Sequence, residues 1–181
     1  LKAIYEFACE NHVSVTIGVH SKDVAERLME CVRSDQTIID VDNQVSILHS
    51  KEQYLSLPKF EQSMREKQQN YESTIAKMQV LVWLTTTKTG CLEELNLSSG
   101  GREFWSEISH HANLHPRLFK PWTERDFYSR QQSAAKQAKI ILTTHNSLIS
   151  DVKTEDFLRR SHYIVLENAN QFHSSVPNGI T

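Results

Sequence analysis

Apolar residues recur along this chain at two alternating periods. Between Lys2 and Asn11, the residues Ala3, Ile4, Phe7 and Ala8 fall at helical spacing. From His12 to His20 the pattern switches to alternation, with Val13, Val15, Ile17 and Val19 predicting a strand rich in β-branched residues. Asp23 then opens a helix, with Glu26 three residues on as its capping partner. The expected buried face of that helix is Val24, Leu28, Cys31 and Val32. Thr37–Val41 and Val45–Leu48 read as short strands. A strand–helix–strand rhythm of this kind argues for a parallel sheet with crossover helices, because parallel neighbours need a long connection.

The middle of the chain is patterned differently. Pro58 opens a helix in its first turn, and Asn70 caps a longer one. In the longer helix Tyr71, Ile75, Met78 and Val82 form an apolar stripe, which Leu81, Trp83 and Leu84 widen into a mostly buried segment. Thr85 to Gly101 is polar and loop-like, and a short helix from Arg102 to Ser109 follows. Thr123 is the expected N-cap of a helix running to Ala138, with Asp126 at its third position. Ile140 to Thr143 then reads as a buried strand and Tyr163 to Leu166 as another, a return to the first pattern. The expected class is α/β: a parallel sheet in residues 1–48 and 139–181, interrupted by a mainly helical insert in residues 49–138.

Composition adds little until it is divided along the chain. The 181 residues are 39% hydrophobic and 23% charged, with 5 Gly and 4 Pro, which excludes disordered or fibrous material. The net charge of −2 hides a split: −4 over residues 1–50, +3 over 51–139 and −1 over 140–181. No apolar run is long enough to span a bilayer, and no membrane partner is expected. The first residues carry acid and lack an apolar core, so no signal peptide is expected either. The 3 cysteines, Cys9, Cys31 and Cys91, match neither C-x-x-C nor zinc-ribbon spacing, and they are expected as free thiols in a reducing, cytoplasmic compartment.

Five stretches follow one another over nearly the whole chain. They are Gln53-Tyr54-Leu55-Ser56-Leu57-Pro58-Lys59-Phe60-Glu61, Val82 to Gly101, Pro121-Trp122 with Phe127-Tyr128-Ser129-Arg130, Thr143-Thr144-His145, and Ile164 to Phe172 (IVLENANQF). Together they resemble the DinG family, superfamily 2 helicases related to XPD. The resemblance implies a partial RecA-like sheet whose helical insert stands where the family has its iron–sulfur domain. It implies that residues 1–48 begin just after the Walker A helix. The chain does not start with Met and holds no G-x-x-x-x-G-K-S/T, so the phosphate loop is expected ahead of Leu1.

The departures from the family's pattern bear on chemistry. Its Asp-Glu-Ala-His in motif II corresponds here to Glu167, Asn168, Ala169 and Asn170. Glu167 could still reach a Mg²⁺-bound water, and otherwise reads as a solvated carboxylate at a strand end. Asn168 is neutral and cannot take a proton, so general-base work should fail and no catalytic residue is expected in this piece. The iron–sulfur ligands of some relatives correspond to Ser56, Lys120 and Asp126, none of them Cys, so no cluster is expected. No cofactor is expected in the piece itself; ATP and Mg²⁺ belong to the intact protein.

Other candidate chemistry is weaker. His110, His111 and His115 do not share a helical face and Pro116 follows them, so solvated loop histidines fit better than a metal site. Arg117, Lys120, Arg125 and Arg130 interleave with Phe119, Trp122, Phe127 and Tyr128, a mixture suited to a DNA backbone and stacked bases. An amphipathic helix with an aromatic core face and a wet basic face fits the same pattern. The resemblance adds His20 and Ser21, similar to motif Ia, and Thr144 and His145 as DNA-facing residues of the sheet. Gly18-Val19 stands where the family has Ser-Thr, removing two hydroxyls.

The resulting expectation is a piece of a DinG-type helicase homologue with degenerate motifs. The intact protein would be a 3′–5′ exonuclease acting on DNA, with a nuclease domain and the remaining helicase domains in the same chain. The rival reading is a non-catalytic module that docks DNA or a repair partner.

Overall fold

The computed structural model describes residues 1–35, 40–66, 71–97, 99–110, 120–122, 124–151 and 161–170. They form two compact units, one of Leu1–Ser50 with Gln131–Thr181 and one of Lys51–Arg130.

The first unit is a four-stranded, all-parallel sheet. Helix α1 (Lys2–Glu10) leads to β1 (Val15–Val19), α2 (Lys22–Ser34), the short α3 (Val41–Gln44) and β2 (Val45–Ile47). After the second unit come β3 (Ile140–Thr144), α8 (His145–Asp151) and β4 (Tyr163–Leu166). The strand order is β2-β3-β1-β4, with Val15 opposite both Ile140 and Tyr163, and Ile47 opposite Leu142. The α/β class and parallel sheet of the sequence reading are therefore present.

All five residues of β1 are buried, including Thr16 at 1% exposure. Alternating apolar residues would suit a strand wet on one face, but a central parallel strand is covered on both. Val15, Ile17 and Val19 pack with Ala8, Ala25, Met29 and Val32 of α1 and α2. Gly18 points the other way, and a Cβ there would overlap Leu148 of α8 and press on Leu166, so α8 covers the second face.

Several expected boundaries shift. The strand begins at Val15 and not at His12, because His12 turns into the left-handed region at φ 54° and the Val13 N–H bonds to Ala8 O at 3.0 Å. Ser21, not Asp23, precedes the first turn of α2, whose buried face is Ala25, Met29 and Val32. Cys31 is exposed, Cys9 half-buried and Cys91 buried. The expected strand at 37–41 is overturned at its end, where Asp40 sits at φ 60° and Val41 starts α3; residues 37–39 lie outside the described set.

The second unit holds α4 (Leu57–Arg65), α5 (Tyr71–Leu84) and α6 (Ser99–Ile108), and the start of α7 (Phe127–Gln137), which runs on into the first unit. Two antiparallel bridges, Tyr54 with Cys91 and Leu55 with Ser109, tie its segments together. Gly90 between them has φ 68°, accepts the Leu55 N–H at 2.9 Å, and has the Phe127 ring where a Cβ would go.

Helix α5 reverses its expected face. Tyr71 (79%), Met78 (62%) and Val82 (70%) are exposed, whereas Ala76, Lys77, Val80 and Trp83 are buried. The helix is apolar nearly all round, so periodicity does not select a face. The choice falls to its neighbours: Trp83 meets Trp105 of α6 edge-on at 6.1 Å, and the Lys77 ammonium lies 5.8 Å from the Phe104 ring centre. Packing against α5 also carries α6 back to Ser99, through two glycines of poor helix propensity that read as loop. Among the described residues, no helix is long and apolar enough to cross a membrane.

Candidate functional site

In a parallel sheet every strand points the same way, so the segments leaving the C-terminal ends converge on one edge, where such folds bind ligands. Here that edge receives His20 and Ser21 from β1, His49 from the end of β2, Thr144 and His145 from β3, and Glu167 and Asn168 from β4. The sequence candidates of the sheet thus share one edge.

Glu167 is held twice. Its N–H donates to Gly18 O at 2.8 Å, and its carboxylate lies 3.1 Å from His20 Nδ1. With the two side chains 35 and 39% exposed, water screens the pair, so it orients Glu167 more than it stabilises the fold. Asn168 follows in the left-handed region at φ 53°, a conformation that Asn tolerates better than most residues, and its side chain is exposed. Ala169 and Asn170 are exposed as well. Ser21 caps α2 by position without a side-chain hydrogen bond to it, leaving its hydroxyl for other work.

Thr144 and His145 differ from the expectation of DNA-facing residues. Thr144 Oγ1 accepts the Ser147 N–H at 3.1 Å and pairs with Ser147 Oγ at 2.9 Å, so it serves as the cap of α8. His145 is 1% exposed, with its ring wedged beside Gly18 and Nε2 3.1 Å from Gly18 O. A buried ring cannot touch DNA; the site places His145 behind β1 instead of on the surface. Gly18 itself is dictated by this packing, which explains why no hydroxyl stands there.

His49 carries no signal in the sequence beyond following a strand. It is 5% exposed, and burial, helped by the nearby positive charge of Lys22, lowers its pKa from 6.5 to about 4. The imidazole is neutral at physiological pH.

The candidates of the second unit divide. Arg125 and Arg130 are exposed, Arg130 lying over the Phe127 ring at 4.9 Å. Arg117 lies outside the described residues, as do Thr123, His111 and His115; Lys120 opens a short turn to Trp122. Ser56 and Asp126 are both fully buried. Asp126, not Thr123, caps α7: one carboxylate oxygen accepts both the Ser129 N–H and hydroxyl at 3.0 Å. The same oxygen is 3.5 Å from His110 Nε2. His110, its side chain 14% exposed, is thus the partner of a buried carboxylate and not a solvated loop residue, its ring tilted 47° to that of Tyr128 at 5.2 Å, and Tyr128 is itself 5.5 Å from Tyr54. Sixteen positions separate His110 from Asp126, so no local pattern announces the pair. No group of three or more His, Cys, Asp or Glu among the described residues is arranged to hold a metal ion.

No protein-family model matches the chain. Curated proteins do. The 3′-5′ exonuclease DinG of Bacillus subtilis (strain 168) is 34% identical over 128 residues, 70% of this chain and 14% of the relative. The protein of that name from Staphylococcus epidermidis is 26% identical over 168 residues, 92% of this chain and 18% of the relative. That from Staphylococcus saprophyticus is 30% identical over 108 residues, covering 59% and 12%. The chain therefore spans less than a fifth of the length of these relatives.

Proposed function

This chain is a homologue of the DinG family, and on that premise we propose that it is part of the first RecA-like domain, with its helical insert, of a DNA-acting protein whose helicase motor is crippled. The intact protein is read as a cytoplasmic 3′–5′ exonuclease in which this part binds DNA and nucleotide without efficient turnover. One observation carries the reading: the C-terminal edge of the sheet gathers His20, Ser21 and Glu167, with a neutral Asn168 beside Glu167.

Hydrolysis of a phosphoanhydride asks for a carboxylate near the metal and a second one that orients water. Glu167 fits the first role, through a Mg²⁺-bound water, when the metal nucleotide is bound. Asn168 can donate and accept hydrogen bonds but cannot take up a proton, so it could place a water without activating it. His20 and Ser21, ahead of α2, and Arg125 and Arg130 supply donors and charge for a phosphate backbone. The residues do not fit an iron–sulfur cluster: Ser56 and Asp126 offer oxygen where thiolate is needed, and Cys91 is the one thiol of the unit. The pairing of His110 with the buried Asp126 and the Trp83–Trp105 contact support an insert that holds together without a cluster.

The test is ATP turnover by the intact protein with and without single-stranded DNA, alongside release of nucleotides from a 3′-labelled strand. We expect exonuclease activity and DNA-stimulated ATP turnover at or near background. Turnover at the rate of an active helicase would refute the crippled motor. Absence of nuclease activity with retained DNA binding would favour a non-catalytic docking module.

A further inference from the structure

We propose that His145 is a positioning residue that sets the Glu167–Asn168 turn against the end of β1, acting through the carbonyl oxygen of Gly18. That oxygen has two lone pairs, and two donors address it from different elements. The Glu167 N–H approaches at 2.8 Å from the turn after β4, and His145 Nε2 lies at 3.1 Å from the start of α8. A carbonyl only accepts, so Nε2 carries the hydrogen and the tautomer of His145 is settled by this contact.

The geometry leaves the ring little freedom. His145 is 1% exposed, and its Cδ2 stands 3.4 Å from where a Gly18 Cβ would be, a point that Leu148 and Leu166 also crowd. Thr144, by capping α8, fixes the backbone from which the ring projects. The Glu167 backbone thus hangs from an atom that α8 braces through His145, while its carboxylate meets His20 two residues on from Gly18, just past the end of β1. His145 touches no surface; its influence on a bound nucleotide passes entirely through the placement of Glu167. The inference rests on the reading that Glu167 faces a magnesium nucleotide, but its structural half stands without it.

Two variants of the intact protein separate the effects. His145→Gln puts an amide N–H at the depth of Nε2, and His145→Leu fills the space without a donor. The first measurement is amide hydrogen exchange at Glu167, against the β4 amides of the ladder with β1 as an internal control. The second is binding of a fluorescent ATP analogue with Mg²⁺. We expect His145→Leu to speed exchange at Glu167 roughly tenfold, the worth of about one hydrogen bond, with the ladder amides unchanged, and to weaken analogue binding. His145→Gln should restore both. A merely structural role would speed the ladder amides in step with Glu167 and would overturn the proposal. So would equal exchange in the Leu and Gln variants. If the wild type binds no analogue while the selective exchange effect and its rescue persist, the nucleotide reading falls and the positioning role stands.

Discussion

Below neutral pH, His49 should make the first unit lose stability, and the size of the loss follows from its environment. The folded protein holds this imidazole at about 4, chiefly because burial disfavours the charged form and secondarily because Lys22 repels it. The unfolded chain titrates near 6.5. As pH falls through that range the unfolded state takes up a proton that the folded state refuses. Stability contributed by neutral His49 is therefore intact above about 6.5, declines between 6.5 and 4 and levels off below. At ~1.4 kcal/mol per pH unit the full loss is a little over 3 kcal/mol, of which roughly 2 kcal/mol is felt by pH 5. The assay is urea denaturation at pH 7.5 and pH 5, comparing wild type with His49→Gln, which cannot titrate. Carboxylates and the other histidines contribute to both proteins alike, so the informative quantity is the difference between their pH dependences. The variant should lose about 2 kcal/mol less on acidification. Equal losses in the two proteins would refute the claim that a buried neutral His49 governs the acid limb.

Asp126→Ala removes a helix cap and strands His110 without its carboxylate, and should cost about 2–4 kcal/mol in the second unit, read by thermal unfolding. Asp126→Asn keeps the cap and should cost less. Gly18→Ser, which puts back the hydroxyl of the family's pattern, should lower the melting temperature of the first unit, because its Cβ overlaps Leu148; unchanged melting would contradict the packing. Changing Arg117, Lys120, Arg125 and Arg130 together to Ala should weaken DNA binding and flatten its salt dependence by up to about four ion equivalents, measured by fluorescence anisotropy across salt concentrations. An unchanged slope would remove the basic patch from the interface.

Strands and their chemistry were the legible part of this chain. Val15–Val19, Ile140–Thr144 and Tyr163–Leu166 lie where alternation or short β-branched and apolar runs announce them, since strand pattern is local, although Tyr163, Ile164 and Val165 are exposed and not buried as their run suggests. The residue identities at Glu167-Asn168-Ala169-Asn170 needed no coordinates either, because a neutral amide is neutral in any fold. Helix α5 was illegible for the opposite reason: with apolar residues on several sides, its sequence allows more than one buried stripe, and Trp105 and Phe104 made the choice. Histidines were misjudged most often. His145 read as a surface contact and is buried, and His110 read as a solvated loop residue and pairs with Asp126. Imidazole is small, polar and half apolar, so its sequence neighbours say little about whether water or a carbonyl will satisfy it.

Taken alone, the order of residues determined the parallel α/β class, the family likeness and the list of groups available for chemistry, all of which depend on local period or on residue identity. Tertiary structure decided which of those groups reach the C-terminal edge of the sheet. It set Glu167 beside His20 across 147 positions, hid His145 behind Gly18 and left His49 neutral. Exposure, pairing and charge state depend on neighbours brought from far along the chain, and only the folded sheet supplies them.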